Sequence, residues 1–232
     1  MDYHRQQPIF ENRYDAGRQL AEKLGVYKKE PLIVLAIPNG GIPVGAQVAL
    51  TMKADLDLVI SRKIPIPLRP EGGFGAVADD GTTILNQNML KKIELTDNQV
   101  NYQVNKVRND IQQRSILYRG SKPLSIVKDK IAIVIDDGLA SGYTMMAAIE
   151  SVRRRQPKYI IAAVPAASAA AVKNVEKTAD RVVTVVTSFA PKFYISDFYR
   201  YWNVLKDEEG LKCYKDWQMR RHQSNIKPPT GR

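Results

Sequence analysis

Short apolar runs alternate along the chain with stretches in which apolar positions recur at helical spacing. The runs are 32–37 (Leu-Ile-Val-Leu-Ala-Ile), 131–135 (Ile-Ala-Ile-Val-Ile), 159–164 and 181–186. Runs of this length suit strands covered on both faces. Leu56-Asp57-Leu58-Val59-Ile60 predicts a further strand. Residues 9–25 predict a helix, with Phe10, Tyr14, Gly17, Ala21 and Leu24 on one stripe and Gly25 as its stop. Other helical patterns carry Val44, Ala46, Val48, Ala49 and Leu50, then Val100, Val104, Val107 and Ile111. The latter follows a capping box, Thr96-Asp97-Asn98-Gln99. A helix starts near Thr144, and residues 166–175 form an alanine-rich one. Strand and helix in repetition predict an α/β fold: a central, mainly parallel sheet with helices on both faces and right-handed crossovers.

Two stretches break the rhythm. Residues 64–75 hold Pro65, Pro67, Pro70, Gly72, Gly73 and Gly75, which predicts a long irregular loop. Residues 76–86 then suit a hairpin turning at Asp79-Asp80-Gly81. From Phe189 onward aromatic residues crowd together: Phe193, Tyr194, Phe198, Tyr199, Tyr201 and Trp202. Residues 218–232 are polar and basic, and are expected to be disordered. The expected organisation is one domain over 1–217. Its core lies at 31–188, its small hood comes from the N-terminal segment and 189–217, and 218–232 form a tail.

Composition narrows the chemistry. The 232 residues suffice for one α/β domain with a substantial core. No apolar run approaches the ~20 residues of a membrane span. Met1-Asp2-Tyr3-His4-Arg5 lacks the apolar centre of a signal peptide, so a cytoplasmic location is expected. Cys213 is the single cysteine, which excludes an intrachain disulfide and a Cys-rich zinc site. The two histidines, His4 and His222, lie near the ends, which disfavours a Ser-His-Asp site. The net charge is +11. It favours anionic ligands, nucleic acid among them, but no nucleic-acid-binding motif accompanies it, so a solvated basic surface is the plainer account.

The most informative stretch is 131–144, Ile-Ala-Ile-Val-Ile-Asp-Asp-Gly-Leu-Ala-Ser-Gly-Tyr-Thr. A buried strand delivers Asp136 and Asp137 to its C-terminal end, the sheet edge where α/β proteins bind ligands. The loop from Gly138 to Thr144 presents backbone N–H groups suited to a phosphate. The paired carboxylates can accept hydrogen bonds from a vicinal diol. A ribose phosphate offers both groups on one frame. The competing reading is a Walker-B-like or phospho-acceptor aspartate, but no Gly-x-x-x-x-Gly-Lys-Ser/Thr loop occurs in the chain. Pro38-Asn39-Gly40-Gly41 ends the first core strand, where its glycines allow close approach of an anion. Arg62 and Lys63 are expected at the end of the next strand, on the same edge, where they either meet an anion or cap a strand in solvent.

This stretch resembles the 5-phosphoribosyl-1-pyrophosphate (PRPP) motif of the type I phosphoribosyltransferases. The resemblance implies that Asp136 and Asp137 hold the ribose hydroxyls. It implies that Gly138, Leu139, Ala140, Ser141, Gly142, Tyr143 and Thr144 wrap the 5-phosphate. Pro38, Asn39, Gly40 and Gly41 would bind pyrophosphate on a loop that in this family often carries a non-proline cis peptide. Arg62 and Lys63 would neutralise the leaving group, and 64–83 would stand where the family has its flexible catalytic loop. Phe74-Gly75-Ala76-Val77-Ala78-Asp79-Asp80-Gly81-Thr82, Tyr118-Arg119-Gly120, and Phe193-Tyr194 with Asp197-Phe198 resemble a poorly characterised branch of the family. Ala140 stands where hypoxanthine-guanine-type members carry an aspartate, which argues against a purine N7 relay but not against transfer. Phe193, Tyr194 and Phe198 either stack on a base or form a small core. The implied reaction is Mg²⁺-dependent transfer of phosphoribosyl from PRPP to a nitrogen nucleophile, releasing pyrophosphate. No protein residue is expected to ligate the metal directly, and a homodimer is expected. The alternative is a non-catalytic PRPP-binding regulator, facing nucleic acid with its positive charge.

Overall fold

A computed structural model describes residues 8–225. The predicted parallel sheet is present. It is built from β1 (Leu32–Ala36), β2 (Asp55–Leu58), β6 (Ile131–Ile135), β7 (Tyr159–Ser168) and β8 (Arg181–Ser188), in the order β2-β1-β6-β7-β8, every pair parallel. The chain leaves β1 in one direction and returns to the sheet on its other side at β6. The crevice between the carboxyl ends of these two strands is therefore the topological switch point.

Alternate strand residues build two cores. Val34, Ala36, Ile133, Ile135 and Ile161 pack against α1 (Arg13–Lys23), α2 (Gly41–Met52) and α7 (Asp207–Asn225). Ile33, Leu35, Ala132, Val134 and Ile160 pack against α5 (Tyr143–Arg153) and α6 (Ala169–Val175). Each fully buried aliphatic side chain stabilises the fold by about 1.5–3 kcal/mol, which holds the sheet edge rigid beneath its loops. Pro165 does not stop β7. β6 has already ended, and the pairing with β8 runs from Val164↔Thr184 to Ala166↔Val186 across it. The helix expected from 166 therefore starts only at Ala169.

The expected irregular loop is instead a three-stranded antiparallel sheet: β3 (Ser61–Ile66), β4 (Arg69–Ala78) and β5 (Thr83–Leu85). Pro65 sits on the edge strand β3, where a missing N–H is tolerated. The glycines serve close packing. A Cβ on Gly75 would lie 2.3 Å from the Ile84 carbonyl oxygen, and one on Gly73 would lie 2.4 Å from Lys63 Cγ. The hairpin at Asp79-Asp80-Gly81 forms as expected, with Gly81 at φ +86°. This small sheet packs on α5 and on α4 (Asp97–Arg119), whose capping box closes as predicted. A short helix, α3 (Gln87–Ile93), precedes α4.

The tail expectation is corrected over 218–225. These residues continue α7 because Tyr214 and Trp217 bury their stacked rings one turn before, against the face that carries α2. Residues 226–232 lie outside the described part. A third small core joins Phe10 and Ala16 to Ala166, Phe198 and Tyr199, so the N-terminal segment and residues near 198 meet. Among the described residues no helix is long and apolar enough to cross a membrane.

Candidate functional site

Two glycine-containing loops meet at the switch point. The β1–α2 loop carries Pro38, Asn39 and Gly40, with a cis peptide between Pro38 and Asn39. The β6–α5 loop carries Asp136 to Gly142. They touch through their glycines. A Cβ on Gly40 would lie 2.0 Å from Asp137 Oδ2, and one on Gly41 would lie 2.6 Å from the Ile135 carbonyl oxygen.

The two adjacent carboxylates differ. Asp137 is buried and receives Arg13 Nε at 2.8 Å. The Arg13 guanidinium lies 3.9 Å from the centre of the Trp202 ring, and Tyr199 Oη donates to the Asp137 carbonyl oxygen at 2.6 Å. Asp136 is bonded to no cation. Its Oδ1 accepts the Asp137 amide at 2.8 Å. Burial, and after it the neighbouring Asp137 carboxylate, hold the Asp136 carboxyl well above the ordinary carboxylate range. Burial also raises Asp137, but Arg13 works against that rise. Asp136 is thus the carboxyl group whose charge is left for a ligand to satisfy.

The rest of the second loop is arranged to leave donors open. Leu139 is pinned to β7 by N–H to the Ala166 carbonyl and by its own carbonyl to the Ser168 N–H, both at 2.9 Å. The Ala140 carbonyl accepts Ser168 Oγ at 2.8 Å, and the Ser141 carbonyl accepts Asn174 Nδ2 at 3.3 Å. Carbonyls therefore turn toward α6. Gly142, at φ +90°, starts α5 without a side-chain cap. The first bond of that helix joins Met146 N–H to the Gly142 carbonyl, so Tyr143, Thr144 and Met145 offer N–H groups with no partner inside the helix. With the helix dipole behind them they form an anion site. The exposed residues Ala140 and Ser141 form its rim. Tyr143 packs its ring against the Ala76–Ala78–Ala147 cluster and brings only its amide.

In the first loop the Asn39 side chain is fully used. Its Nδ2 donates to the Leu205 carbonyl and to Asp207 Oδ1, each at 2.9 Å. Its Oδ1 accepts Arg114 Nη1 at 3.0 Å and Tyr118 Oη at 2.9 Å. A carboxamide has two donor hydrogens and two acceptor lone pairs, so no side-chain valence remains for a ligand. What this loop can present to an anion is backbone.

Arg62 and Lys63 are separated. They do not end a strand of the parallel sheet, since β2 stops at Leu58 and residues 61–66 belong to the antiparallel sheet. Neighbours on a strand face opposite ways. Arg62 lines a cavity of about 310 Å³ with Asp110, Gln113, Arg114, Leu117 and Asp207, one residue away from Asn39. Burial and the like charge of Arg114 lower its pKa. Lys63 instead lies along β4 and donates to the Glu71 carbonyl at 2.6 Å. The aromatic candidates also divide. Phe198 is buried, Phe193 packs on it at 5.1 Å between ring centres, and Tyr194 is exposed.

Sequence reading missed Arg13, Tyr199, Arg114 and Asp207. Arg13 had a signal. It falls on the stripe of Phe10, Gly17 and Leu24, and a charge on an apolar stripe implies a buried partner. Tyr14, placed on that stripe, is 43% exposed. The Tyr118-Arg119-Gly120 motif is structural for its arginine, whose Nη1 binds Asp79 at 2.8 Å and whose Nη2 binds the Leu58 carbonyl, tying the hairpin turn to β2.

The model of the phosphoribosyl transferase domain matches residues 76–196, over half of the chain. Two Mycobacterium tuberculosis proteins, MT0597 and Rv0571c, carry provisional phosphoribosyl transferase names. Each is 32% identical over 201 residues, which cover 87% of this chain and 45% of the relative, so the chain spans about half the length of these relatives. TT1426 from Thermus thermophilus superposes with a TM-score of 0.72 at 29% identity, covering 90% of this chain and 98% of that one. AQ2163 from Aquifex aeolicus, at 11% identity and a TM-score of 0.50 over 84% of this chain and 90% of its own, has the same fold.

Proposed function

The chain belongs to the type I phosphoribosyltransferase family, and on that footing we propose that it binds PRPP across the switch point and transfers its 5-phosphoribosyl group to a nitrogen nucleophile. The observation that carries this reading is the pairing, on one loop, of an uncapped α5 N-terminus with Asp136, a carboxylate that no cation bonds, where that loop packs against the Gly40-Gly41 backbone. The 5-phosphate sits on the loop of Gly138, Leu139, Ala140, Ser141, Gly142, Tyr143 and Thr144. Asp136 accepts the ribose diol, and Asp137, fixed by Arg13, sets its position. Pyrophosphate lies along the backbone of Pro38 to Gly41, with Arg62 as the nearer cation. Lys63 is left to the outer face.

In the reaction the bond from the anomeric carbon to the pyrophosphate oxygen breaks and a bond to the acceptor nitrogen forms. The electron pair leaves on pyrophosphate, and the acceptor's proton passes to solvent. Catalysis of this type is chiefly positional and electrostatic. Arg62 and the loop amides act where negative charge grows. The exposed ring of Tyr194 stands as the aromatic surface open to a planar acceptor such as a nucleobase.

Among the described residues no group of three or more acidic, histidine or cysteine side chains could hold a metal by itself. That donor set fits Mg²⁺, which keeps its waters and binds through one or two carboxylates plus substrate phosphates. Such an ion would be held chiefly by substrate oxygens and water, with Asp136 the carboxylate nearest to hand. When bound, the cation would supply charge neutralisation for the leaving pyrophosphate.

A screen of nucleobases with PRPP and Mg²⁺, reading pyrophosphate release, tests the proposal. Release with one base class is expected. A rise in melting temperature with PRPP but no release with any acceptor would favour the regulator instead. No rise at millimolar PRPP would remove the reading altogether.

A further inference from the structure

One segment touches both halves of the site. Residues 195–210 leave the hood, cross the sheet edge and enter α7. At the near end Ile195 covers Gly138, so closely that a Cβ there would meet Ile195 Cγ2 at 2.6 Å. Tyr199 Oη holds the Asp137 carbonyl at 2.6 Å, and Trp202 stacks on Arg13, the partner of Asp137. At the far end the Leu205 carbonyl and Asp207 Oδ1 take both hydrogens of Asn39 Nδ2. Arg114 bridges Asn39 and Asp207, at 3.0 Å and 2.7 Å. Gly210 lets Tyr118 approach, since a Cβ there would lie 2.4 Å from Tyr118 Oη. Between these ends side chains are exposed, Tyr201 by 68% and Val204 by 84%, and the last backbone bond before the gap is Tyr201 N–H to the Glu11 carbonyl at 2.9 Å.

We propose that residues 195–210 form a strap that fixes the spacing of the two loops, and that Tyr199, Leu205 and Asp207 are its positioning residues. The proposal rests on the reading of the loops as the two ends of a PRPP site, and adds what sets the distance between them. A ligand that spans both loops gains affinity from having its second end delivered at high effective concentration, and that gain depends on the spacing being held. Ligands that occupy one loop gain nothing from it. The sheet holds the strand ends and the loops meet at Gly40 and Gly41; beyond that contact the strap is the covalent element pinned to both.

The test lengthens the strap at two exposed residues. Two glycines inserted between Asn203 and Val204 leave the contacts at each end intact. Calorimetry with Mg²⁺ then compares PRPP, ribose 5-phosphate and pyrophosphate on parent and variant. PRPP affinity should fall on the order of tenfold, while each fragment stays within about twofold of the parent. Equal weakening of all three would make the strap merely structural, and unchanged PRPP binding would overturn the proposal. Hydrogen exchange without ligand gives an independent arm. Amides of 37–43 and 137–143 should exchange faster in the variant while those of β1 and β6 do not, and unchanged exchange in both loops would also overturn it. Should the parent bind none of the three ligands, the transferase reading fails and the exchange arm alone decides whether the strap holds the loops. Asp207→Ala against Asp207→Asn refines the far end: asparagine keeps an acceptor for Asn39 and should preserve pyrophosphate binding, whereas alanine should not.

Discussion

The two loops at the carboxyl edge start from similar sequences, small and glycine-containing after a buried strand, yet they end in opposite states. In the β1–α2 loop every side-chain valence of Asn39 is taken by groups from α4, from Leu205 before α7 and from Asp207 at its start. In the β6–α5 loop the carbonyls are taken by α6, while the amides at the start of α5 stay open. One loop is a wall and the other a receptacle. Local composition does not separate them. The difference comes from which neighbours the fold brings against each, and the loops should therefore fail differently when those neighbours are removed.

The largest effect is expected at the base of the receptacle. Arg13→Met removes the cation from a carboxylate that stays buried beside the core. Leaving one partner of a buried pair uncompensated costs about 3–5 kcal/mol. With Arg13 gone, Asp137 in the fold would hold a proton to a higher pH than in the unfolded chain. Native protein then binds the extra proton, and stability falls as pH rises. Urea midpoints at pH 5 and pH 8 check this: the variant should lose more against the parent at pH 8. An equal loss at both values would mean that Arg13 acts through its stacking on Trp202 rather than through charge.

A smaller loss is expected at the wall. Asn39→Ala leaves Arg114, Tyr118, the Leu205 carbonyl and Asp207 without their shared partner. Groups stranded in this way cost about 1–3 kcal/mol, because water can reach the half-buried arginine and aspartate. Thermal unfolding should show a drop of roughly 3–9 °C at this chain length. Phosphate binding to the other loop should be unaltered, which would separate wall from receptacle directly.

The parallel sheet, the acidic strand end and both loops were legible because each rests on local signals: continuous apolar runs, and small residues after them. Of the antiparallel sheet only the hairpin at Asp79-Asp80-Gly81 was, and β3 with the first half of β4 was not. Its prolines and glycines carry the signature of a loop, and only the edge position of Pro65 and the strand contacts of Gly73 and Gly75 turn them into a sheet. No part of α7 was legible in the sequence, and its last turns carry the pattern of a tail, since a polar, basic stretch gives no hint that Tyr214 and Trp217 anchor the helix just before it. At the site, Asp136 and Asp137 looked equivalent. Nothing near them in sequence reveals Arg13, which lies 124 positions away and makes one of them structural. Arg62 and Lys63 were adjacent and of one charge, but strand alternation sends them to different faces.

The smallest stability effect, and the sharpest test of the contrast within the acidic pair, belongs to Asp136→Asn. Asp136 keeps its proton in the fold to higher pH than in the unfolded chain, first because it is buried and then because Asp137 is beside it. A carboxyl raised in this way favours the fold below the ordinary carboxylate range and loses that contribution as pH climbs through its raised value. Asparagine cannot ionise, so the variant should match or exceed the parent near pH 8, by up to about 1 kcal/mol, and the two should converge toward pH 4. Asp137→Asn should behave in the opposite sense, since it strands the Arg13 guanidinium. Ligand binding should invert the ranking. PRPP with Mg²⁺ needs an ionised Asp136, so the parent's affinity should rise with pH, while Asp136→Asn should bind weakly at every pH. Melting temperatures of both variants, with and without PRPP, at pH 5 and pH 8, contain all of these outcomes. If Asp136→Asn destabilised the free protein and left PRPP binding as it was, the carboxylate would be a structural member of the loop, and the charge left open for a ligand would have to lie elsewhere.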